Sequence, residues 1–298
     1  MTPTAPLTPP SHPSSPSSRP SISRCSSCNQ SMHHSPVAPT GPITCVFTDI
    51  IDSTSIWEAY PEEMWEALQT HNKLMREELL RCKGYEVKTM GDAFHLVFSD
   101  AESALRFCFH MQVTLSDTAW PPSIVAYHKG KLRFDEMDQK PPYPGLTVRM
   151  GIHFGQPYGE ELNPVSERVD YYGSMVNRSA RVQGEAQGGE IAVTDEFIEQ
   201  LRQYRMKDKQ LKEDLTGPLN DVIREKILLE TMEPPVGVFE VKQDVKRSKK
   251  LKGLEKPVYI TRIGLIKPPQ KDELCETGSS EYPVLASSWW QRALNQRN

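Results

Sequence analysis

The chain has 298 residues, 37% of them hydrophobic and 25% charged, and a formal net charge of −4. That suits one large or two small globular domains, and the acidic balance argues against a dedicated nucleic-acid binder, which is usually basic. No apolar run reaches about 18 residues and no secretory signal opens the chain, so no membrane span is expected; six scattered cysteines read as free thiols of a reducing compartment, a cytoplasmic setting in which any membrane association comes through partners.

Residues 1–42 carry 10 of the 25 prolines and 11 serines. Such a segment buries too little apolar surface to offset its ordering entropy, and disorder is expected there. Within it Cys25 and Cys28 form a CxxC near His33 and His34; one such motif in low-complexity sequence is weak ground for a zinc site. The globular part opens at Ile43, where 43–51 reads as a buried strand ending in Asp49. Met64, Leu68, His71, Met75 and Leu79 then recur at helical spacing, with Pro61 in the first turn and Gly84 as the stop. Residues 85–90 and 93–98 are apolar-rich runs separated only by Gly91-Asp92, which is a hairpin signal. Asp100 is placed to cap a second helix with Ala104, Leu105, Cys108, Met111 and Leu115 on its apolar side.

Residues 117–145 hold five prolines and read as an irregular insertion. A strand is expected over 146–153, a short helix near 175–184 and a strand over 189–193, with Thr194 capping a further helix. After about residue 204 the chain is charged and loop-rich, including the run KRSKKLK, read as a solvated loop in preference to a phosphate or lipid contact. PVYITRI (257–263) closes as a strand with Gly264 just past its end. Residues 267–298 read as a loose tail in which Trp289 and Trp290 are free to dock. The order strand, helix, hairpin, helix, strand fits an α/β (α+β) ferredoxin-like split βαβ sheet with helices packed on one face.

Three clusters bear on chemistry. Asp49 ends a buried strand and is either a metal ligand or a cap for the next helix. Asp92 sits at a hairpin tip, where Asp is a common turn residue. In a split βαβ sheet that hairpin lies beside the first strand, so both carboxylates can address one place. Two such groups with no evident basic partner repel, and a hard divalent ion, Mg2+ or Mn2+, relieves the repulsion. Asn177 and Arg181 are four apart on one helix face, and a guanidinium fork suits phosphate oxygens. Asp170, shortly before that helix, is also acceptable as a cap.

The stretches VFTDIIDST, GYEVKTMGDAFHLVF, VRMGIHFG and RVDYYGSMVNRSARVQGEAQGGEIAVT together resemble the class III nucleotidyl cyclase catalytic domain, of the fungal adenylate cyclase type. The resemblance implies a catalytic domain over 43–266 that turns ATP into cyclic AMP and pyrophosphate with two divalent ions per site, at the interface of a homodimer, in intracellular signalling with regulatory proteins as further partners. Asp49 and Asp92 match its metal-binding aspartates, with the Ile50 carbonyl as a further ligand. Lys88 and Asp170 match the purine-reading pair, and Asn177 and Arg181 the residues on the ribose and the transition-state phosphate. Arg149 matches a phosphate-binding arginine, Ser53 and Thr54 the turn whose amides approach the terminal phosphates, and Lys252 is the candidate for a late triphosphate lysine.

Donor–acceptor chemistry bears on the base. Adenine offers an acceptor at N1 and a donor at its 6-amino group, which a lysine and an aspartate complement, whereas guanine inverts both. Each mismatch would leave a buried polar group unpaired, at about 1–3 kcal/mol. Three alternatives remain: a guanylate or relaxed-specificity cyclase, a catalytically dead dimerisation module that regulates another cyclase, and a structural metal-binding domain. Lys88 and Asp170 speak against the first and the intact six-residue set against the second; the third leaves Lys88 and Arg181 without a role. His95 stands where the family usually has an apolar residue. Its side chain is expected on the helix-covered face or at a wet edge, with a catalytic base the less favoured reading.

Overall fold

A computed structural model describes residues 37–129, 144–207, 217–230, 239–242 and 248–265. The expected disordered segment up to residue 36, the Cys25–Cys28 motif and the 267–298 tail lie outside the described residues. In chain order the elements are β1 (Ile43–Ile50), α1 (Ser53–Ala59), α2 (Pro61–Arg81), β2 (Tyr85–Met90), β3 (Ala93–Phe98), α3 (Ala101–Asp117), α4 (Pro122–Lys129), β4 (Val148–Gly155), β5 (Gly159–Leu162), β6 (Val169–Tyr172), α5 (Ser174–Gln183), β7 (Glu190–Thr194), α6 (Asp195–Arg205), α7 (Asp221–Glu225), a π-helical turn over Lys226–Glu230, β8 (Phe239–Val241), β9 (Ser248–Lys249) and β10 (Val258–Leu265).

The main sheet runs β2-β3-β1-β4-β7-β10-β8, with β9 paired to β10. β4 and β7 are parallel, and the other neighbours are antiparallel. The fold is thus the mixed α+β sheet expected. β1 is central, with β3 and β4 on its two sides, and its near-continuous burial follows from cover on both faces. Val46 and Ile50 enter the larger core with Met75, Leu105, Met150 and Phe197, beneath α2, α3 and α6. Ile43, Cys45 and Phe47 point the other way, into a second core with Tyr171 of β6 and Met175 of α5.

That second core corrects the expectation of helices on one face. α5 and the β5–β6 hairpin cover the opposite face, because Gly151 and Gly155 of β4 carry no side chains to hold α5 off. A Cβ on Gly151 would stand 2.2 Å from the Gln183 backbone nitrogen, and one on Gly155 would stand 3.1 Å from Met175 Cβ. The predicted caps are in place: Asp100 accepts from the Ser103 amide and Thr194 from the Phe197 amide, and Pro61 opens α2.

Other boundaries shift for local reasons. Lys83, not Gly84, adopts the left-handed backbone after α2 (φ 55°), and Gly84 is instead needed for packing, since a Cβ would reach Leu79 and Phe98 at 2.3 and 2.5 Å. Gly264 lies inside β10 rather than past it. The 117–145 insertion contains α4. Among the described residues after 204, α7 and the π-helical turn interrupt the expected loop, and two ion pairs anchor this part. Arg224 of α7 pairs with Asp195 at the start of α6, and Arg205 of α6 pairs with Glu102 of α3 at 2.9 Å. Within the basic run, Lys249 in β9 pairs with Glu185.

Candidate active site

Asp49 of β1 and Asp92, in the turn that leads into the neighbouring strand β3, lie at one end of the sheet. Asp92 occupies the β2–β3 turn, where Gly91 supplies the left-handed backbone (φ 66°). Its Oδ2 accepts from the Ile50 amide at 3.3 Å, so the Asp92 carboxylate is tied to the residue next to Asp49. Ser53 and Thr54 begin α1 immediately beyond β1. Asp52 stands at the N-cap with left-handed backbone (φ 58°) and makes no side-chain cap. Asp49 makes no such cap either, which removes that reading of it.

Asp49 has a basic partner, contrary to the expectation of two unneutralised carboxylates. Arg149 sits directly across from it in the β1–β4 register, and the guanidinium donates through Nε and Nη2 to Asp49 Oδ2 at 3.0 and 2.5 Å. Both side chains are about a third exposed (27% and 32%). The pairing arises because two residues of opposite charge share one face of adjacent strands, a relation that 100 residues of separation conceal in the sequence.

The donor set fits a hard divalent cation. It consists of carboxylate oxygens, half-buried and open to solvent on one side, and Asp49 Oδ2 already serves as the anchor of a cation, the Arg149 guanidinium.

Lys88 and Asp170 meet. Lys88 follows a register shift in β2 that sets it opposite His95, and its Nζ lies 2.6 Å from Asp170 Oδ1 of β6. Asp170 is therefore not a helix cap; Gly173 holds that position for α5. Asn177 and Arg181 share the outer face of α5, both exposed, while Met175, Ser179 and Val182 of the same helix are buried. Lys252 is exposed in the turn between β9 and β10. Among the described residues, no hydrogen bond or ion pair joins the Asp49–Arg149–Asp92 group to the Lys88–Asp170 pair or to Asn177 and Arg181.

His95 is 1% exposed and lies with the second core, against α5 and β6 rather than α2 and α3. Its ring stacks on Phe47 with centroids 4.4 Å apart, and Nε2 is 3.3 Å from Cys45 Sγ. Burial lowers its pKa to about 4, so it is a neutral ring inside the sheet layer and not a solvent-reachable base.

Sequence reasoning missed a second polar group. Glu78 of α2, Cys82 at its C-cap and His110 of α3 are buried together, on the sheet face opposite Asp49. The signal was present, since Glu78 falls on the same helical stripe as Met75 and Leu79.

Known proteins resemble this chain in sequence and in fold. Residues 36–221 match the family described as the adenylate and guanylate cyclase catalytic domain. The chain is 40% identical over 227 residues to an adenylate cyclase of Lachancea kluyveri, covering 75% of this chain and 12% of that protein. It is 42% identical over 223 residues to one from Podospora anserina, covering 75% and 10%. Among solved structures, a Trypanosoma brucei adenylate cyclase in its monomeric state superposes with a TM-score of 0.57 at 26% identity, covering 76% of this chain and 91% of that one. The match spans only about a tenth of the length of the fungal relatives. A match over most of the described chain, on a sheet of the same architecture, identifies it as a member of the adenylate and guanylate cyclase catalytic domain family.

Proposed function

We propose that the chain is an adenylate cyclase catalytic domain, converting ATP to 3′,5′-cyclic AMP and pyrophosphate at sites built between two copies. The observation that carries the choice of ATP is the donor and acceptor set side by side, Lys88 Nζ and Asp170 Oδ1 at 2.6 Å. In the free chain each satisfies the other. Adenine replaces that bond with two of its own, N1 accepting from Lys88 and the 6-amino group donating to Asp170. Guanine would set donor against donor and acceptor against acceptor. The fungal relatives, themselves adenylate cyclases, support this reading.

Asp49 and Asp92, with the Ile50 carbonyl, would hold two Mg2+ or Mn2+ ions. When bound, such ions lower the pKa of the 3′-hydroxyl and neutralise charge on the oxygens of an in-line displacement at the α-phosphorus. Arg149 then exchanges Asp49 for substrate phosphate. Arg181 offers its fork to the α-phosphate where negative charge develops, and Asn177 orients the ribose. The amides at Ser53 and Thr54 and the ammonium of Lys252 face the terminal phosphates.

Asn177 and Arg181 point to solvent in the single chain, and supply to a second copy is the natural use of such a face. One chain carries both halves of the set, so a two-fold homodimer forms two equivalent sites. The test is complementation. Asp49→Ala and Arg181→Ala should each be inactive with ATP, and mixing them should restore one intact site per mixed dimer, giving cyclic AMP identified by mass and a rate that rises with protein concentration. If mixed dimers form and stay inactive, the shared-site arrangement is wrong. If the wild-type chain makes cyclic GMP as readily as cyclic AMP, the base assignment is wrong.

A further inference from the structure

We propose a second metal site, for zinc, formed by Glu78, Cys82 and His110 between α2 and α3. It is independent of the function proposed above and lies on the other face of the sheet from Asp49. The three side chains offer one oxygen, one sulfur and one nitrogen, all within 4.8 Å of one another and all buried. Glu78 lies in the last turn of α2 and Cys82 is the residue that caps that helix, and His110 meets them from α3.

The contacts converge on one atom. Glu78 Oε1 accepts from Cys82 Sγ at 3.4 Å and is bonded to His110 Nδ1. The other oxygen, Oε2, is held by Arg81 Nη1 at 3.1 Å, an outer partner of the kind that orients a ligating carboxylate. A tetrahedral zinc places N, O and S ligands about 2.0–2.3 Å from the metal, hence about 3.3–3.6 Å from one another. The three donors reach that spacing by small side-chain shifts, with a solvent ligand in the fourth position.

Charge and energetics favour an occupant. Cys82 Sγ donates to Glu78 Oε1, so in the free chain it carries its proton. Zinc binding expels that proton to solvent, and Zn2+ with one thiolate, one carboxylate and a neutral imidazole sums to zero, which suits a buried position. Without a metal, a trio of apolar side chains of similar volume would join these helices at least as well, because buried ionic groups seldom repay their desolvation. The sulfur and imidazole donors select zinc over magnesium, so the two sites of this chain would differ in ion as well as in place.

Cobalt reports such a site directly, because a thiolate ligand gives Co2+ a near-ultraviolet charge-transfer band. The full chain, stripped with chelator and titrated with Co2+, is expected to develop that band at one equivalent, and Zn2+ to abolish it. Cys82→Ser should lose the band, and His110→Asn should weaken Co2+ binding at least tenfold. The Cys25→Ser/Cys28→Ser double variant and Asp49→Ala should keep it. In the wild-type chain, chelator should lower the thermal midpoint and Zn2+, not Mg2+, restore it, a readout that needs no folded variant. The proposal is overturned if the wild-type chain shows no thiolate band, if the band survives in Cys82→Ser, or if it disappears with Cys25 and Cys28 instead.

Discussion

Gly151→Ala tests whether the seating of α5 on the sheet controls catalysis. Gly151 is in the middle of β4, paired with Phe47 on one side and Ala192 on the other. Its added methyl would lie 2.2 Å from the Gln183 nitrogen and 2.4 Å from its Cα, against 3.4 Å for the lower edge of ordinary contact. The end of α5 must therefore retreat by 3.4 − 2.2 = 1.2 Å, because the obstacle is backbone and not a flexible side-chain tip. Overpacking of this kind costs about 1–3 kcal/mol, or roughly 2–12 °C in thermal midpoint for a domain of this size. Arg181 is two residues from Gln183, and a displacement of about 1 Å at a positioning group lowers turnover by roughly 10²-fold. Mn2+ affinity, measured by titration in the absence of nucleotide, should change less than about twofold, since Asp49 lies on β1 and Asp92 in the β2–β3 turn rather than on β4. A variant with unchanged midpoint and unchanged kcat would refute the argument that the bare backbone of β4 sets the place of α5.

Asp49→Ala and Asp92→Ala should each abolish metal-dependent turnover while circular dichroism and thermal midpoint stay near wild type, because both side chains are partly exposed at the sheet's end; near-normal activity in either would remove it from the metal set. Lys88→Glu with Asp170→Cys should shift the preference from ATP toward GTP, read as the ratio of kcat/KM for the two nucleotides, and an unchanged ratio would show that this pair does not read the base. Acid should destabilise the fold early. Burial lowers the pKa of His71, His95 and His153 to about 4 from 6.5, so between those values the unfolded chain takes up protons that the folded chain refuses. Stability then falls as pH drops from 6.5 toward 4, with a limiting slope of 3 × 1.36, about 4 kcal/mol per pH unit. Urea unfolding at pH 7, 6 and 5 measures it, and a loss below about 1 kcal/mol between pH 6.5 and 5 would show that these rings are not buried as neutral groups.

Local physics made much of the chain legible from its letters. The apolar stripe of α2 from Met64 to Leu79, the Gly91-Asp92 turn, and the Asp100 and Thr194 caps all depend on residues within a few positions of one another, and they stand where their patterns put them. Asn177 and Arg181 share an exposed helix face for the same reason, as an i, i+4 spacing requires. The ordered set of motifs added the family. Short polar strands carry no such pattern: β5 and β6 have four residues each and no clear alternation, and the end of α2 took its left-handed residue at Lys83 although Gly84 was available.

Everything that depends on strand neighbours had to come from the tertiary structure. Arg149 and Asp49 are a hundred residues apart and meet because β4 pairs with β1 in one register. Lys88 reaches Asp170 because β6 folds over the same face as β2. Glu78 and His110 show no relation to each other until α2 and α3 pack. Helical and turn patterns follow from interactions along the chain, which a sequence displays; the partner of a buried charge is set by which faces are pressed together, and two residues carry no mark of that until the sheet has closed.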